Sequence, residues 1–173
     1  MSKNTRTRTL IDMVILAAAV ALNVVLSRFL SFSTWNMKFS LTFLTIAFAA
    51  RRNGVIGGAV VGGLGDFLGA NLFPIGPYYP LFTLTAVLDG IVMGLFLKKG
   101  QGVRQVVPAV LINQLFGSLV LNSLWVSLLY NSRVSDFIAL RSLQTLIMIV
   151  IECTLLLLLG RSKQYSKLVA VGK

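Results

Sequence analysis

Residues 73–86 read FPIGPYYPLFTLTA, and the segment joins two long apolar runs. Pro74, Gly76, Pro77 and Pro80 cannot share one continuous helix, because each proline lacks a backbone donor and clashes with the preceding turn. The stretch is therefore a loop. It is not a polar one: Phe73, Tyr78, Tyr79 and Phe82 give it flat apolar faces with hydroxyl handles. Such a surface suits a structured lid over a planar ligand. The runs on either side, 55–72 and 81–97, are long and apolar enough to be membrane-crossing helices.

Working outward, the rest of the chain has the same character. Of 173 residues 56% are apolar and only 12% are charged, with a mean hydropathy of +0.84. That excludes an ordinary soluble domain and predicts an all-α, polytopic membrane protein. Six spans are expected, at about 10–28, 39–50, 55–72, 81–97, 106–130 and 137–160, within a single transmembrane domain covering 1–173. The second is short, and the fifth carries Pro108 close to its start. The basic N-terminus followed by an apolar run could mimic a signal peptide. The run is too long and no small-residue cleavage pattern follows, so it reads as a retained span.

A net charge of +11 with no histidine would ordinarily raise nucleic acid as a partner. Here the basic residues punctuate apolar runs and form no stripe. They describe topology instead: Lys3, Arg6, Arg8, Arg51, Arg52, Lys98, Lys99, Arg104, Arg161, Lys163, Lys167 and Lys173 fall on one side, against Arg28, Lys38, Arg133 and Arg141 on the other. That bias places both termini in the cytoplasm and the aromatic lid outside. No phosphate-cradling Gly-rich motif, metal-ligand cluster or Ser-His-Asp set is present, so neither ATP hydrolysis nor other enzymatic chemistry is expected of this chain, and no cofactor or metal. The lone Cys153, in the last apolar run, offers no disulfide framework.

Polar residues at membrane depth are costly and so are candidates for function. Arg28, Lys38, Asp66 and Arg141 converge on the lid end, with interfacial snorkelling as the bland reading of Arg28 and Lys38 and an Asp66–Arg pair as a purely structural alternative. Asn122 and Trp125 are three residues apart on one face of the fifth helix, and Asn36 beside Trp35 repeats the amide–indole combination. Asp89 and Glu152 lie deeper and are expected to be neutralised or hydrogen-bonded within the bundle. Glycines 54, 58, 62, 65 and 69 give the third helix a ridgeless face for close packing. Ala17 and Ala21, one turn apart on the first helix, suit either internal packing or docking to another membrane subunit.

Four stretches, LNVVLSRFLSFST (22–34), GDFLGANLFP (65–74), FPIGPYYPLFTLTA and LNSLWVSLLY (121–130), resemble one family: the folate-specific S components of energy-coupling-factor (ECF) vitamin transporters. The resemblance covers most of the chain and thins at both ends. It implies a six-helix protein of the bacterial plasma membrane that captures folate at the outer face and docks on a transmembrane coupling subunit with two cytoplasmic ATPases. The S component then topples to deliver its ligand inward, with the contact made through Ala17 and Ala21. The sequence departs from the family pattern at Leu81, at Tyr79 and in the Arg51-Arg52-Asn53-Gly54 turn.

Folate's parts match the candidates. Asn36, Asn122 or Asp66 can read the donor–acceptor edge of the pterin, while Phe73, Tyr78, Tyr79 or Trp125 stack on its faces. Arg28, Lys38 or Arg141 can take the glutamyl carboxylates. The alternatives are an S component for another heteroaromatic vitamin such as thiamin, or a stand-alone channel or secondary transporter. The latter class lacks support from any inverted repeat or chain of protonatable groups.

Overall fold

The apolar runs become helices, because in lipid every backbone donor and acceptor must be satisfied within the segment. In the computed structural model the chain is described over residues 3–33 and 38–170, with side chains over 9–32 and 39–170. The helices are α1 (Lys3–Arg28), α2 (Thr42–Leu72), α3 (Pro80–Leu97), α4 (Val103–Ile112), α5 (Asn122–Tyr130), α6 (Ile138–Arg161) and α7 (Lys163–Ala170). A π-helical stretch, Asn113–Leu121, joins α4 to α5 without a break, and a 3-10 turn, Val134–Asp136, precedes α6. Between α1 and α2 two-residue strands pair antiparallel, Phe32 opposite Phe39 and Ser33 opposite Lys38. Among the described residues five helical segments are long and apolar enough to cross a membrane, with α4, the π-helical stretch and α5 counting as one.

One of those five is folded back on itself. Gly54, within α2, has φ 68° and ψ −148°, a conformation open to glycine and almost nothing else. A Cβ placed on Gly58 would lie 3.3 Å from the Ala50 Cβ, and one on Gly62 would lie 3.6 Å from Ile46 Cδ1. In a straight helix Ile46 and Gly62 would be about 24 Å apart. Residues 42–53 and 55–72 therefore run antiparallel as a hairpin, and the bundle has six embedded rods.

α1 begins earlier than expected, at Lys3, and α7 was not foreseen; three further boundary differences each have a local reason. The second helix starts at Thr42 and not at 39, because Lys38–Phe39 is taken up by the strand pair. Pro80 opens α3 in its first turn, where its fixed φ suits a helix and its missing N–H would have had no partner anyway. The fifth rod begins at Val103, which places Pro108 inside α4 and not at its start.

The second arm of α2 and α3 meet backbone to backbone. Gly58 and Gly90 face one another so closely that a Cβ on either would collide with the other's carbonyl, and Gly62 abuts Ala86 in the same way. In lipid such contact supplies the packing that water-driven burial cannot. Around it lies a dry core that includes Ala47, Ala50, Val61, Leu97, Val106, Val110 and Leu156, all fully buried.

The start of α1, the hairpin turn and α7 share one end of the bundle. Arg52, 4% exposed, donates through Nη2 to Asp12 Oδ1 at 2.7 Å. Its Nη1 donates to the carbonyls of Leu168 and Val169 in α7. Arg51 Nη1 donates to the carbonyls of Leu97 and Lys98 at 3.2 and 2.7 Å, closing the C-terminal end of α3. The Arg51–Gly54 turn thus ties together four elements.

Candidate functional site

At the opposite end a cavity of about 560 Å³ opens beneath the 73–79 loop, inside the size range of small-molecule sites. The loop forms one wall through Ile75, Gly76, Pro77, Tyr78 and Tyr79. It is tied down by a relay. The Tyr78 hydroxyl lies 3.3 Å from Thr83 Oγ1, and Thr83 Oγ1 donates to Asp66 Oδ2 at 2.7 Å. The Tyr78 ring also packs edge-on against Phe67, with centroids 6.0 Å apart, and Tyr79 against Phe82 at 6.1 Å. The prolines limit the loop's backbone freedom while these contacts orient its rings.

Charge enters from two sides. Arg28, in the last turn of α1, reaches the cavity across Gly69, where a Cβ would stand 2.9 Å from Arg28 Nε. A side chain at position 69 would displace the guanidinium from this path. Arg141, one turn into α6 and 5% exposed, lines the cavity as well. Its Nη2 donates to the carbonyl of Ser118 in the π-helical stretch at 3.0 Å. Two carboxylates, Asp66 and Asp89, line the same cavity. Asp66 lies within electrostatic reach of Arg28, but its described hydrogen bond is the one from Thr83. Guanidinium groups for anionic groups and carboxylates for ring N–H groups are thus presented in one chamber.

The candidates named from the sequence separate into groups. Arg28, Asp66, Tyr78, Tyr79, Asn122 and Arg141 line the cavity. Trp125 does not: it stands behind the wall and donates from Nε1 to Thr85 Oγ1, a lining atom, at 3.0 Å. Phe73 packs edge-on against Phe29, centroids 5.2 Å apart, also outside the lining. Asn36, with Trp35, falls outside the described residues, as does the side chain of Lys38. Ala17 and Ala21 both lie exposed on the outer face of α1, while Ala19, Val20, Asn23 and Val24 form its inward face. Neither alanine packs inside the bundle.

Several lining residues were not among those candidates: Thr85, Ser118, Tyr130, Gln144 and above all Asp89. Asp89 was expected to be neutralised or hydrogen-bonded within the bundle. It also lines the cavity, where Gly117 leaves its carboxyl group room: a Cβ there would lie 2.5 Å from Asp89 Oδ1. A carboxylate in a membrane helix was signal enough. What the sequence lacked was which face of α3 turns toward the chamber.

Comparison with known proteins agrees with this architecture. The family model of the ECF-type riboflavin transporter S component matches residues 7–163. The chain is 29% identical over 162 residues to the folate transporter FolT of Clostridium novyi (strain NT), covering 93% of each. It is also 29% identical over 146 residues to the folate transporter FolT of Leuconostoc mesenteroides subsp. mesenteroides, covering 80% of this chain and 78% of that one. A crystal structure of FolT bound with folic acid superposes with a TM-score of 0.82 at 29% identity, covering 88% of this chain and 95% of that one.

Proposed function

The chain belongs to the family of ECF-type riboflavin transporter S components, a multi-pass membrane protein that is a transporter subunit and not an enzyme, and on that premise we propose that it captures folate. The lid end faces outward and both termini face the cytoplasm, as the distribution of basic residues requires. The exposed face of α1 carrying Ala17 and Ala21 docks on a transmembrane coupling subunit. Two ATPases attached to that subunit supply the energy, and the loaded bundle topples to release the vitamin inside.

The observation that carries folate over riboflavin is the pair of guanidinium groups, Arg28 and Arg141, lining one cavity. Folate carries two carboxylates on its glutamyl tail, whereas riboflavin ends in a neutral polyol. The half-buried Arg28 and the buried Arg141 match the carboxylates of the first ligand, whereas the second offers them no anionic group. The names of the relatives point the same way. The aromatic loop and Asn122 suit the pterin, one by stacking and the other by hydrogen bonding.

The test is a fluorescence titration of the purified, detergent-solubilised protein, reported by Trp35 and Trp125, against folate, riboflavin and thiamin. Saturable quenching by folate, after inner-filter correction, is the expected result. Saturation by riboflavin or thiamin with silence toward folate would keep the family and overturn the ligand.

A further inference from the structure

Beneath the ligand chamber lies a second cavity of about 180 Å³, at the meeting of the start of α2, α3, the π-helical stretch and α6. Asp89, Ser118 and Asn122 line both cavities, so the two share a wall. The polar groups on this deeper cavity are the hydroxyls of Ser40, Thr42 and Ser118, three amides and two carboxyl groups, and several of their oxygens lack partners. Gln114, 8% exposed, donates its amide N–H to Glu152 Oε1 at 2.7 Å, which leaves its Oε1 buried with no partner. Asn113, 7% exposed, donates to the carbonyl of Asp89 at 3.1 Å, which leaves its Oδ1 in the same condition. Asn122 Oδ1 is a third such oxygen. Two carboxylates, Asp89 and Glu152, complete the set, and among the described side chains no lysine or arginine lines the cavity.

Buried amide oxygens without a partner, two of them on amides oriented by donation to Glu152 and to the Asp89 carbonyl, lie here with carboxyl groups in a membrane core and call for a positive partner. We infer that the deeper cavity binds a hard monovalent cation of the alkali-metal class, coordinated by Glu152, Asp89 and the amide oxygens of Asn113, Gln114 and Asn122. Oxygen-only polar ligands select hard ions over thiophilic ones. Three of the five ligands are neutral amides, which suits an alkali ion better than a divalent one whose dehydration is costlier. The volume leaves room for the ion to keep water as well, since a water takes up about 30 Å³. The π-helical geometry is what delivers the site: such wide turns recur where a helix is shaped for function, and here Asn113, Gln114 and Ser118 all come from it.

Because Asp89, Ser118 and Asn122 belong to both walls, ordering them with a cation prepares the floor of the ligand chamber. Ion and vitamin then strengthen one another by the same factor, as linkage requires. The site does not depend on which vitamin is carried, so it is tested first without one. Melting temperatures of the ligand-free protein are measured in sodium, potassium and choline chloride at constant ionic strength. A saturable upward shift with one alkali ion relative to choline is expected, as is its loss in Glu152→Gln. Folate affinity should fall roughly fivefold or more in choline, with Glu152→Gln binding folate at the wild-type choline level. Equal stability in all three salts would overturn the inference, leaving a cavity of water or protonated acids. A cation response that survives in Glu152→Gln would also overturn it by placing the ion elsewhere. Should that variant not fold, radioactive sodium binding to the wild-type protein, competed by potassium, decides. Saturation near one ion per chain supports the site, and absence of saturable binding of either ion overturns it.

Discussion

Arg141 shows how much of this protein turns on single side chains. It is almost fully buried, its Nη2 is anchored on the Ser118 carbonyl at 3.0 Å, and it faces the chamber. Arg141→Gln keeps an amide donor for Ser118 but removes the charge. Losing a charge-assisted bond of roughly 1.5–3 kcal/mol should weaken folate binding by about tenfold to a hundredfold, read by the tryptophan titration with the melting temperature as control. Unchanged affinity would make Arg141 a structural bolt between α6 and the π-helical stretch. Trp125 calls for a different outcome, because its indole donates to Thr85 from behind the wall. Trp125→Phe should reduce affinity only modestly, on the order of the 0.5–1.5 kcal/mol of one neutral hydrogen bond. A larger loss would mean that the ring stacks directly on the ligand. Both residues were visible in the sequence as polar or aromatic groups near the lid end. Their positions in and behind the wall were not, since that depends on how each helix is rotated about its axis.

At the scale of elements, the glycines of α2 and α3 divide by what their missing side chains allow. Gly54 holds a backbone conformation that a Cβ opposes, so Gly54→Ala should destabilise the hairpin by about 1–3 kcal/mol. Gly90 has the Gly58 backbone where its side chain would be. Gly90→Val must push α3 from the second arm of α2, an overpacking cost of about 1–3 kcal/mol or more. Gly76, in the loop, would place a Cβ only 3.8 Å from the Tyr130 hydroxyl, an ordinary contact. Gly76→Ala should leave the melting temperature nearly unchanged. Thermal unfolding in detergent separates the three, and a neutral Gly90→Val would refute the close packing of the two helices. The glycine spacing was legible in the sequence as a packing face. Its partner was not, because a ridgeless face names no neighbour.

For the whole molecule, Arg52 is the point where distant parts of the chain are joined. It links Asp12 near the start of α1, the hairpin turn and the carbonyls of Leu168 and Val169. Tyr165 of α7 packs edge-on against Phe48, centroids 6.0 Å apart, beside that node. Arg52→Ala should free α7 while leaving the lid end intact. Limited trypsin digestion would then cut faster at Lys163 and Lys167, and folate affinity would stay within about threefold, as expected for sites with no shared partners. Unaltered cleavage would show that α7 is held by its apolar contacts alone.

By itself the sequence determined that this chain is a bundle of membrane helices with an aromatic, proline-bound loop between two of them. Hydropathy and proline chemistry act locally, and lipid leaves helix as the only open-ended way to satisfy the backbone. It also marked Arg28, Asp66, Tyr78, Tyr79, Asn122 and Arg141, because polar or aromatic groups stand out against an apolar background. Only the tertiary structure decided that Asp89 and Thr85 belong to the same chamber. It alone set Trp125 behind that wall and turned Ala17 and Ala21 outward, and it alone placed a second, oxygen-lined cavity below the first. Those facts depend on rotation of each helix about its axis, on the reversal at Gly54 and on the π-helical turns after Ile112. All three arise from packing between segments far apart in the chain, which hydropathy and spacing along it do not encode.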